Sequence, residues 1–318
     1  MDMEPKRKLA VIAVGGNALI REKGKESLPD QYAAACTAMQ HVTSIIQAGW
    51  DVIVTHGNGP QVGFILRRSE LTEGKLFSIS LDFCGSNTQG SIGYMFQMAL
   101  TNDFRQRGMK KQAATVVTQT VVDKKDPAFS TPTKPIGSFM DEKTAMLHRD
   151  KDGWTVVEDS GRGWRRVVPS PAPIRIVQQE AIMTLAQNGF TVIGVGGGGI
   201  PVIEDEKGDL VGVEAVIDKD LASALLASSV HADLFMISTE VEKVALNFNK
   251  PTVQWLDSLT LAEAKRYMAE GQFGKGSMEP KIMAVLNYLE HGGKRVLITN
   301  PENMLRALNG ETGTQIML

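Results

Sequence analysis

Apolar residues in this chain follow two alternating patterns, short continuous runs and stripes at helical spacing. Residues 9–14 form a continuous apolar run that stops at the glycine pair of 15–17, which predicts a strand buried in a parallel sheet. Residues 33–48 place their apolar side chains on one helical face. A second apolar strand at 51–55 stops at the glycine-rich segment 56–60, where a proline favours the start of another helix. This order of strand, glycine-rich loop and helix predicts an α/β fold with ligands at the carboxyl ends of the strands.

The same rhythm returns in the second half of the chain. Its predicted elements are a helix at 174–188, a strand at 190–195, a glycine run at 196–199, a β-hairpin at 200–216 that turns at 206–209, a helix opened by Asp218, a strand at 232–239, a helix at 278–291 and a strand at 295–299. Between the halves, residues 123–173 break the rhythm and are rich in proline, lysine, arginine and aspartate. Long insertions are usually functional lids or disorder, and Phe139, Trp154 and Trp164 favour a small folded subdomain here.

Composition limits the classes of partner that we expect this protein to bind. The chain has 318 residues, and its 34 basic residues face 36 acidic ones for a net charge of -2. No basic excess is present to neutralise a phosphate backbone, so we expect no nucleic-acid partner. Cys36 and Cys84 lie far apart without metal-ligand spacing, which is typical of reduced cytosolic thiols. No apolar stretch approaches the roughly 20 residues that span a bilayer, so we expect a cytoplasmic protein without a membrane partner.

Three glycine-rich strand ends, at residues 15–17, 57–59 and 196–199, are candidates for anion binding. Glycine lets backbone N–H groups approach an anion closely, and a helix N-terminus adds a favourable dipole. Glycine also makes tight turns, so one glycine-rich loop by itself does not establish an anion-binding site. Residues 194–199 formally match a dinucleotide fingerprint, but a hairpin-like stretch follows where that motif requires a helix, and no P-loop motif is present.

Lysines in unusual positions indicate which chemistry these loops serve. Lys219 and Lys281 each stand in the first turn of a predicted helix, where the macrodipole disfavours a cation unless an anion lies nearby. Lys134 is bracketed by prolines and is predicted to lie in a stiff loop; for all three lysines the alternative is a solvated surface residue. Phosphoryl transfer needs positive charge around the moving group and little covalent chemistry. His56 could act as a general base, but transfer to an ionised carboxylate needs none, which favours a structural role.

Together these motifs resemble the carbamate kinases, a branch of the amino-acid kinase family, over essentially the whole chain. The stretches that carry the resemblance are Ala13-Val-Gly-Gly-Asn-Ala18, Thr55-His-Gly-Asn-Gly-Pro-Gln-Val-Gly63, Cys84-Gly85, Gln89-Gly90, Ile92-Gly-Tyr94, Thr118-Gln-Thr120, Pro132-Thr-Lys-Pro135, Gly161-Arg-Gly-Trp164, Val168-Pro-Ser-Pro171, Gly197-Gly-Gly-Ile-Pro201, Val216-Ile-Asp-Lys-Asp220, Gly276-Ser-Met278, Pro280-Lys281 and Gly313-Thr314. The resemblance implies a three-layer αβα sandwich around a mainly parallel sheet of about eight strands, with a small protruding subdomain. It also implies a homodimer that uses ATP with Mg²⁺ in the reversible reaction ATP + carbamate ⇌ ADP + carbamoyl phosphate.

The resemblance further assigns regions and residues to roles. It implies an acceptor lobe at 1–215, which includes a lid subdomain at 123–173, and a nucleotide lobe at 216–318. Its catalytic residues here would be Lys134, Lys219 and Lys281, which neutralise the transferring phosphoryl group, and Asp220, which accepts hydrogen bonds from the lysines. Backbone amides that would cradle carbamate and its phosphate belong to Gly15, Gly16, Asn17, Gly57, Asn58 and Gly59. The nucleotide would contact Gly197, Gly198, Thr239, Val241 and Met278, and no residue is assigned as a protein metal ligand.

Two positions bear on which acceptor is used. Ala13 stands where acetylglutamate-kinase-like members of the family carry a lysine, and the carbamate kinase branch is thought to replace that charge with the lysine that is Lys134 here. Glu240 stands where the family usually has aspartate, which leaves the details of nucleotide contact open. Two alternatives remain: another small-acid kinase of the family, and a catalytically silent binding or regulatory protein on this fold. The pathway is open among arginine, purine and oxamate breakdown, and the high transfer potential of carbamoyl phosphate favours ATP synthesis.

Overall fold

A computed structural model describes residues 7–16, 19–20, 24–159 and 161–318 of the chain. Its strands are, in chain order, β1 (Lys8–Val14), β2 (Trp50–His56), β3 (Ala113–Thr115), β4 (Gln119–Val122), β5 (Lys134–Met140), β6 (Thr155–Glu158), β7 (Trp164–Val168), β8 (Pro173–Ile176), β9 (Thr191–Ile193), β10 (Ile200–Glu204), β11 (Leu210–Gly212), β12 (Leu234–Ser238), β13 (Val244–Leu246), β14 (Gln254–Leu256), β15 (Ser258–Thr260), β16 (Val296–Thr299) and β17 (Thr314–Met317). Its α-helices are α1 (Leu28–Gln47), α2 (Gly59–Leu71), α3 (Leu81–Gln106), α4 (Glu142–Asp152), α5 (Gln179–Gln187), α6 (Lys219–Ser229), α7 (Leu261–Ala269), α8 (Glu279–Glu290) and α9 (Met304–Leu308).

The central sheet has eight strands in the order β15-β17-β16-β12-β1-β2-β9-β3. Neighbouring strands are parallel except for β16 and β17, which are antiparallel. Alternate side chains of β1 enter two different apolar layers: Ala10 and Ile12 pack with α1, α3 and α9, whereas Val11 and Ala13 pack with α5, α6 and α8. The predicted three-layer sandwich around a mainly parallel, eight-stranded sheet is therefore confirmed.

The segment that breaks the rhythm of the chain folds as a small subdomain. A separate three-stranded sheet in the order β5-β7-β6 and helix α4 all lie within 123–173. Both pairs of neighbouring strands in it are antiparallel. Two of the three aromatic residues that indicated order have ring partners: Trp154 stacks on His148 with ring centroids 4.2 Å apart, and the Arg165 guanidinium lies 5.1 Å from the Phe139 ring centroid. The prediction of a folded insertion is therefore confirmed.

A further four-stranded sheet has the order β11-β10-β4-β8, and it explains one of two differences from the predicted elements. The hairpin predicted at 200–216 is present as the antiparallel pair β10 and β11. The helix predicted at 174–188 begins only at Gln179, because the residues before it form β8 and pair with β4. Lys134, predicted in a loop, instead opens β5 and pairs with Val168 of β7. In both segments, pairing with a strand that is distant in sequence determines the secondary structure. A local sequence pattern does not reveal such a partner.

Helix α3, which is 26 residues long, has no counterpart among the predicted elements. It contains Gly85, Gly90 and Gly93, and glycine is a poor helix former. A Cβ added at Gly93 would lie 2.3 Å from Thr115 Cγ2, so this glycine lets the helix pack closely on β3. Tertiary packing thus outweighs the low helix propensity. No helix in the described ranges, α3 included, is long and apolar enough to cross a membrane.

Candidate active site

The N-terminus of α6 gathers two lysines around one buried carboxylate. Asp220 lies in the first turn of the helix and is only 4% exposed. Lys219 Nζ donates to Asp220 Oδ1 at 2.5 Å, and Lys281 Nζ, from the first turn of α8, donates to Asp220 Oδ2 at 3.1 Å. Both lysines stand at helix N-termini, where a cation is disfavoured, and the carboxylate offsets that cost. The structure therefore brings three of the four predicted catalytic residues into direct contact.

The two lysines decide the charge state of this carboxylate. Burial alone would raise the pKa of Asp220, but the charges of Lys219 and Lys281 and their hydrogen bonds outweigh burial and lower it to about 2. Asp220 is therefore ionised at neutral pH. One negative charge shared by two ammonium groups leaves a net positive charge, which suits a site for a phosphoryl group.

The fourth predicted catalytic residue arrives from the subdomain. Lys134 Nζ donates to Asp218 Oδ2 at 2.9 Å, and Asp218 is the N-cap of α6. Lys134 is 36% exposed at its side chain, so it reaches the cluster while remaining accessible to a ligand. These groups form the lysine–aspartate cluster, which consists of Lys134, Asp218, Lys219, Asp220 and Lys281.

The glycine loops after β1 and β2 meet at the same edge of the sheet, but their amides are not all available to a ligand. The Gly15 amide donates to the Ser238 carbonyl at 3.1 Å, and the Gly57 amide donates to the Val14 carbonyl at 3.0 Å. A Cβ at Gly57 would lie 2.4 Å from the Gly16 nitrogen. The predicted amide donation by Gly15 and Gly57 therefore needs correction, because these glycines serve backbone pairing and close approach of the loops.

Of the remaining members of the predicted acceptor cradle, Asn58 and Gly59 lie at the start of α2, whereas Gly16 lies in the loop after β1. Asn58 is the N-cap residue of this helix, and its side-chain Nδ2 donates to Thr88 Oγ1 at 2.9 Å. Within the described part of the chain, no backbone carbonyl accepts from the amides of Gly16, Asn58 or Gly59. The amides of Asn58 and Gly59 can therefore face an anion at the N-terminus of α2, and the Gly16 amide can do so from the loop after β1. The predicted residue Asn17 lies outside the described residues.

A cavity of about 1010 Å³ borders the glycine pair after β1 and the segment that follows β12. The residues predicted for both substrates meet in its lining, which includes Gly15, Gly16, Thr239, Val241, Met278 and Lys281. Its volume is in the range of small-molecule and cofactor sites, about 300–1,000 Å³. Three of the predicted nucleotide residues thus share one space with a lysine of the lysine–aspartate cluster.

Gly197 and Gly198 do not line this cavity, contrary to their predicted place at the nucleotide. A Cβ at Gly197 would lie 2.1 Å from Asn58 Oδ1, and one at Gly198 would lie 2.6 Å from the Ile217 carbonyl oxygen. Gly198 also has a φ of +126°, which L side chains rarely adopt. Close packing of the loop after β9 on Asn58 and Ile217 therefore accounts for both glycines, and their predicted nucleotide contact gains no support from this geometry.

Two aromatic residues in the cavity wall were missed from the sequence. Phe248 and Trp255 stand on the hairpin of β13 and β14, with ring centroids 6.2 Å apart at 81°. Both rings are about half exposed, so a flat apolar ligand group has surface on which to pack. The only sequence signal was a pair of aromatic residues seven positions apart around an Asn-rich turn, which is common on protein surfaces.

The remaining titratable candidates have a structural character. Burial, together with the nearby charge of Lys219, lowers the pKa of His56 to about 4, and the ring packs edge-on against Phe96. A neutral, 1% exposed imidazole fits the structural role favoured from the sequence. Burial and neighbouring carboxylates raise the pKa of the Cys84 thiol to about 11, which makes it unreactive. Among the described residues, no group of three or more His, Cys, Asp or Glu side chains is arranged to hold a metal ion.

Comparisons with known proteins agree with this geometry. The amino acid kinase family model matches residues 8–300. A carbamate kinase of Thermococcus kodakarensis is 49% identical over 98% of this chain and 99% of its own length, and the carbamate kinase-like protein YahI of Escherichia coli is 50% identical over the same shares. The structure of Giardia lamblia carbamate kinase bound to AMP-PNP superposes with a TM-score of 0.92 at 41% identity, covering 98% of each chain. The chain therefore belongs to the amino acid kinase family, in its carbamate kinase branch.

Proposed function

We propose that this protein is a carbamate kinase, which catalyses the reversible reaction ATP + carbamate ⇌ ADP + carbamoyl phosphate. The observation that carries the proposal is the single cavity that joins the Thr239 and Met278 side to the Gly16 loop and to Lys281. A phosphoryl group leaving a nucleotide in this cavity would meet the lysine–aspartate cluster on its way to the acceptor loops.

The chemistry assigned to the chain is electrostatic. An ionised carbamate oxygen attacks the γ-phosphorus, and the bond from that phosphorus to the bridging oxygen of ADP breaks as the new bond forms. Lys219 and Lys281 would stabilise the negative charge on the transferring group, with Asp220 fixing both ammonium groups. Lys134 would neutralise charge on the acceptor side. No general base is required, because the attacking oxygen carries no proton.

The acceptor cradle and the metal follow from the same arrangement. The amides of Gly16, after β1, and of Asn58 and Gly59, at the start of α2, would hold carbamate and its phosphate. Mg²⁺ belongs to the proposal as part of the nucleotide substrate, since it is commonly held by substrate phosphates, waters and one or two carboxylates. The nucleotide base would lie toward the hairpin of Phe248 and Trp255.

Two features favour carbamate over a longer acid. Ala13 is fully buried in the apolar layer of β1, so that position supplies no charge. Lys134 reaches the cluster from the subdomain, which supports the interpretation that it replaces the missing charge. The proposal also includes a homodimer, a cytoplasmic location, and lobes at 1–215 and 216–318 with a lid at 123–173. These parts of the proposal rest on the resemblance to the carbamate kinase branch.

The direct test mixes the purified protein with ADP, Mg²⁺ and carbamoyl phosphate and measures ATP by a coupled luciferase reaction. We expect rapid ATP formation from carbamoyl phosphate. ATP formation from acetylglutamyl phosphate should be far slower. Comparable kcat/KM for acetylglutamyl phosphate would assign the protein to another small-acid kinase. Binding of ADP without any ATP formation would assign it a silent, regulatory role.

A further inference from the structure

Asp218 uses its two carboxylate oxygens for two separate tasks. Oδ1 accepts hydrogen bonds from the amides of Asp220 at 2.9 Å and Leu221 at 3.4 Å, which caps α6. Oδ2 accepts from Lys134 Nζ at 2.9 Å. One side chain therefore joins the first strand of the subdomain to the helix that carries the other charged groups of the site.

The pairing leaves Lys134 able to bind a ligand. An ammonium group has three N–H donors, and Asp218 accepts only one of them. The Lys134 side chain is 36% exposed, whereas that of Asp218 is 16% exposed. The lysine is thus held at its position while two donors point elsewhere. A lysine on a mobile, unpaired stem would lose more rotamer entropy when a phosphoryl group binds.

The arrangement repeats one device within a single helical turn. Asp220, in the first turn of α6, pairs with Lys219 and Lys281, and Asp218, the N-cap of the same helix, pairs with Lys134 of the subdomain. We propose that Asp218 is a positioning residue that docks Lys134 onto α6, and that full turnover requires this contact. The inference rests on the proposed function, since it assumes that Lys134 serves phosphoryl transfer.

Two substitutions separate the two tasks of Asp218. Asparagine and serine are both good N-cap residues, so Asp218→Asn and Asp218→Ser should keep the helix cap and leave the unfolding free energy nearly unchanged. Neither carries the charge that pairs with Lys134. We expect kcat for ATP formation to fall about tenfold in both variants, a size typical of coupling within one ion-pair network, with ADP affinity unchanged. A kcat equal to or above that of the wild type in Asp218→Asn would overturn the proposal.

A double-mutant cycle with Lys134→Met distinguishes positioning from a general structural effect. If Asp218 acts through Lys134, Asp218→Asn should change kcat less than about twofold in the Lys134→Met background. Full additivity of the two losses would show that Asp218 acts by another route. Glu73→Gln is the matched control, because Glu73 pairs with Lys151 of the subdomain at 3.3 Å but both side chains are 60% exposed. This control should leave kcat at the wild-type value.

Hydrogen exchange keeps the inference testable apart from catalysis. In the free protein, amides of β5 should exchange faster in Asp218→Asn than in the wild type, because the subdomain loses its tie to α6. Unchanged exchange in β5 would overturn the proposed docking contact. A wild-type protein that forms no ATP from carbamoyl phosphate would instead defeat the proposed function, and the β5 exchange would still decide whether Asp218 docks the subdomain.

Discussion

Lys219 and Lys281 approach one carboxylate from two different helices, and this shared contact sets how each single residue should respond to substitution. Asp220 is only 4% exposed, so losing one lysine leaves a buried charge with half of its compensation. Each lysine also offers remaining donors to a ligand. Substitutions here should therefore affect both the preorganisation of the site and the charge available to a phosphoryl group.

Changing Lys281 to methionine keeps most of the aliphatic stem and removes the charge. We expect kcat for ATP formation to fall by about 10²–10³, the range seen when one preorganised donor to developing charge is lost. Lys275 is the matched control, because it is exposed in the turn before α8 and lies outside the lysine–aspartate cluster. Lys275→Met should keep wild-type kcat, and equal losses at both positions would mean that Lys281 has no special role.

His56 should make the stability of the protein depend on pH. Its folded-state pKa is lowered to about 4 from an ordinary value of 6.5, so between these pH values the unfolded chain binds a proton that the folded chain does not. Stability should therefore fall as pH drops through this window, by on the order of 2 kcal/mol at pH 5. Urea unfolding at pH 7.5 and pH 5 measures the difference, which His56→Gln should reduce.

The control for this pH effect is an exposed histidine. His291 stands at the C-terminus of α8, where it is solvent-exposed. His291→Gln should keep the wild-type difference in unfolding free energy between the two pH values. An unchanged difference in His56→Gln would show that other groups cause the acid sensitivity.

At the scale of elements, the loops after β1 and β2 depend on one close approach. A Cβ at Gly57 would lie 2.4 Å from the nitrogen and 2.5 Å from the Cα of Gly16, and backbone atoms have no rotamer that avoids the contact. Gly57→Ala should therefore push the two loops apart and lower kcat about 10²-fold, since a displacement near 1 Å can cost this much. Steady-state kinetics and a thermal melt together measure the effect.

Gly90→Ala is the matched control for the loop substitution. Gly90 is exposed within α3, and a Cβ there meets no atom within 4 Å. Alanine should stabilise the helix by up to about 1 kcal/mol and leave kcat unchanged. Wild-type kinetics in Gly57→Ala would show that the loops tolerate the added methyl group. The close approach of Gly57 to Gly16 would then not be required for activity.

At the scale of the whole molecule, the position of β1 explains why two substrates can meet. Its parallel neighbours are β2, which leads to the proposed acceptor loop, and β12, which leads to the cavity wall at Thr239. Ligands of open α/β sheets bind beyond the carboxyl ends of strands, where connections leave in opposite directions. The glycine pair after β1 lies at that point and borders both sides.

Hydrogen exchange should map the two sides separately. ADP should slow exchange in the segments 239–250 and 273–281, which border the cavity, and should leave the start of α2 at 58–62 nearly unchanged. Carbamoyl phosphate should slow exchange at 58–62, where the amides of Asn58 and Gly59 donate to no backbone carbonyl of the described residues. Mass-spectrometric deuterium uptake measures both, and protection of 58–62 by ADP alone would reverse the proposed placement of the substrates.

Much of the architecture could be predicted because it is encoded locally. β1, β2 and β12 are continuous apolar runs, and the helix α6 opens at an aspartate cap, so neighbouring residues determine both kinds of element. The lysines of the site stood out for the same reason, since a cation in a first helical turn is locally unfavourable. The family resemblance then ordered these features along one chain.

Local pattern failed wherever a partner from a distant part of the chain decided the outcome. Residues 173–176 became β8 because β4 was available to pair with them, and α3 formed despite its glycines because it packs on β3. The aromatic hairpin at Phe248 and Trp255 gave no signal, since only the surrounding cavity distinguishes it from an ordinary surface turn.

The sequence by itself determined the buried strands β1, β2 and β12, the glycine-rich strand ends and the identity of the charged residues. Only the tertiary structure decided which of these groups meet. The amides of Gly15 and Gly57 are used within the sheet, and Gly197 packs on Asn58, because neighbouring strands bring those partners within bonding or contact distance. The role of Asp218 likewise exists only where the subdomain reaches α6. Hydrogen bonds and packing are short-ranged, so their partners depend on the folded path of the chain and not on the spacing of residues along it.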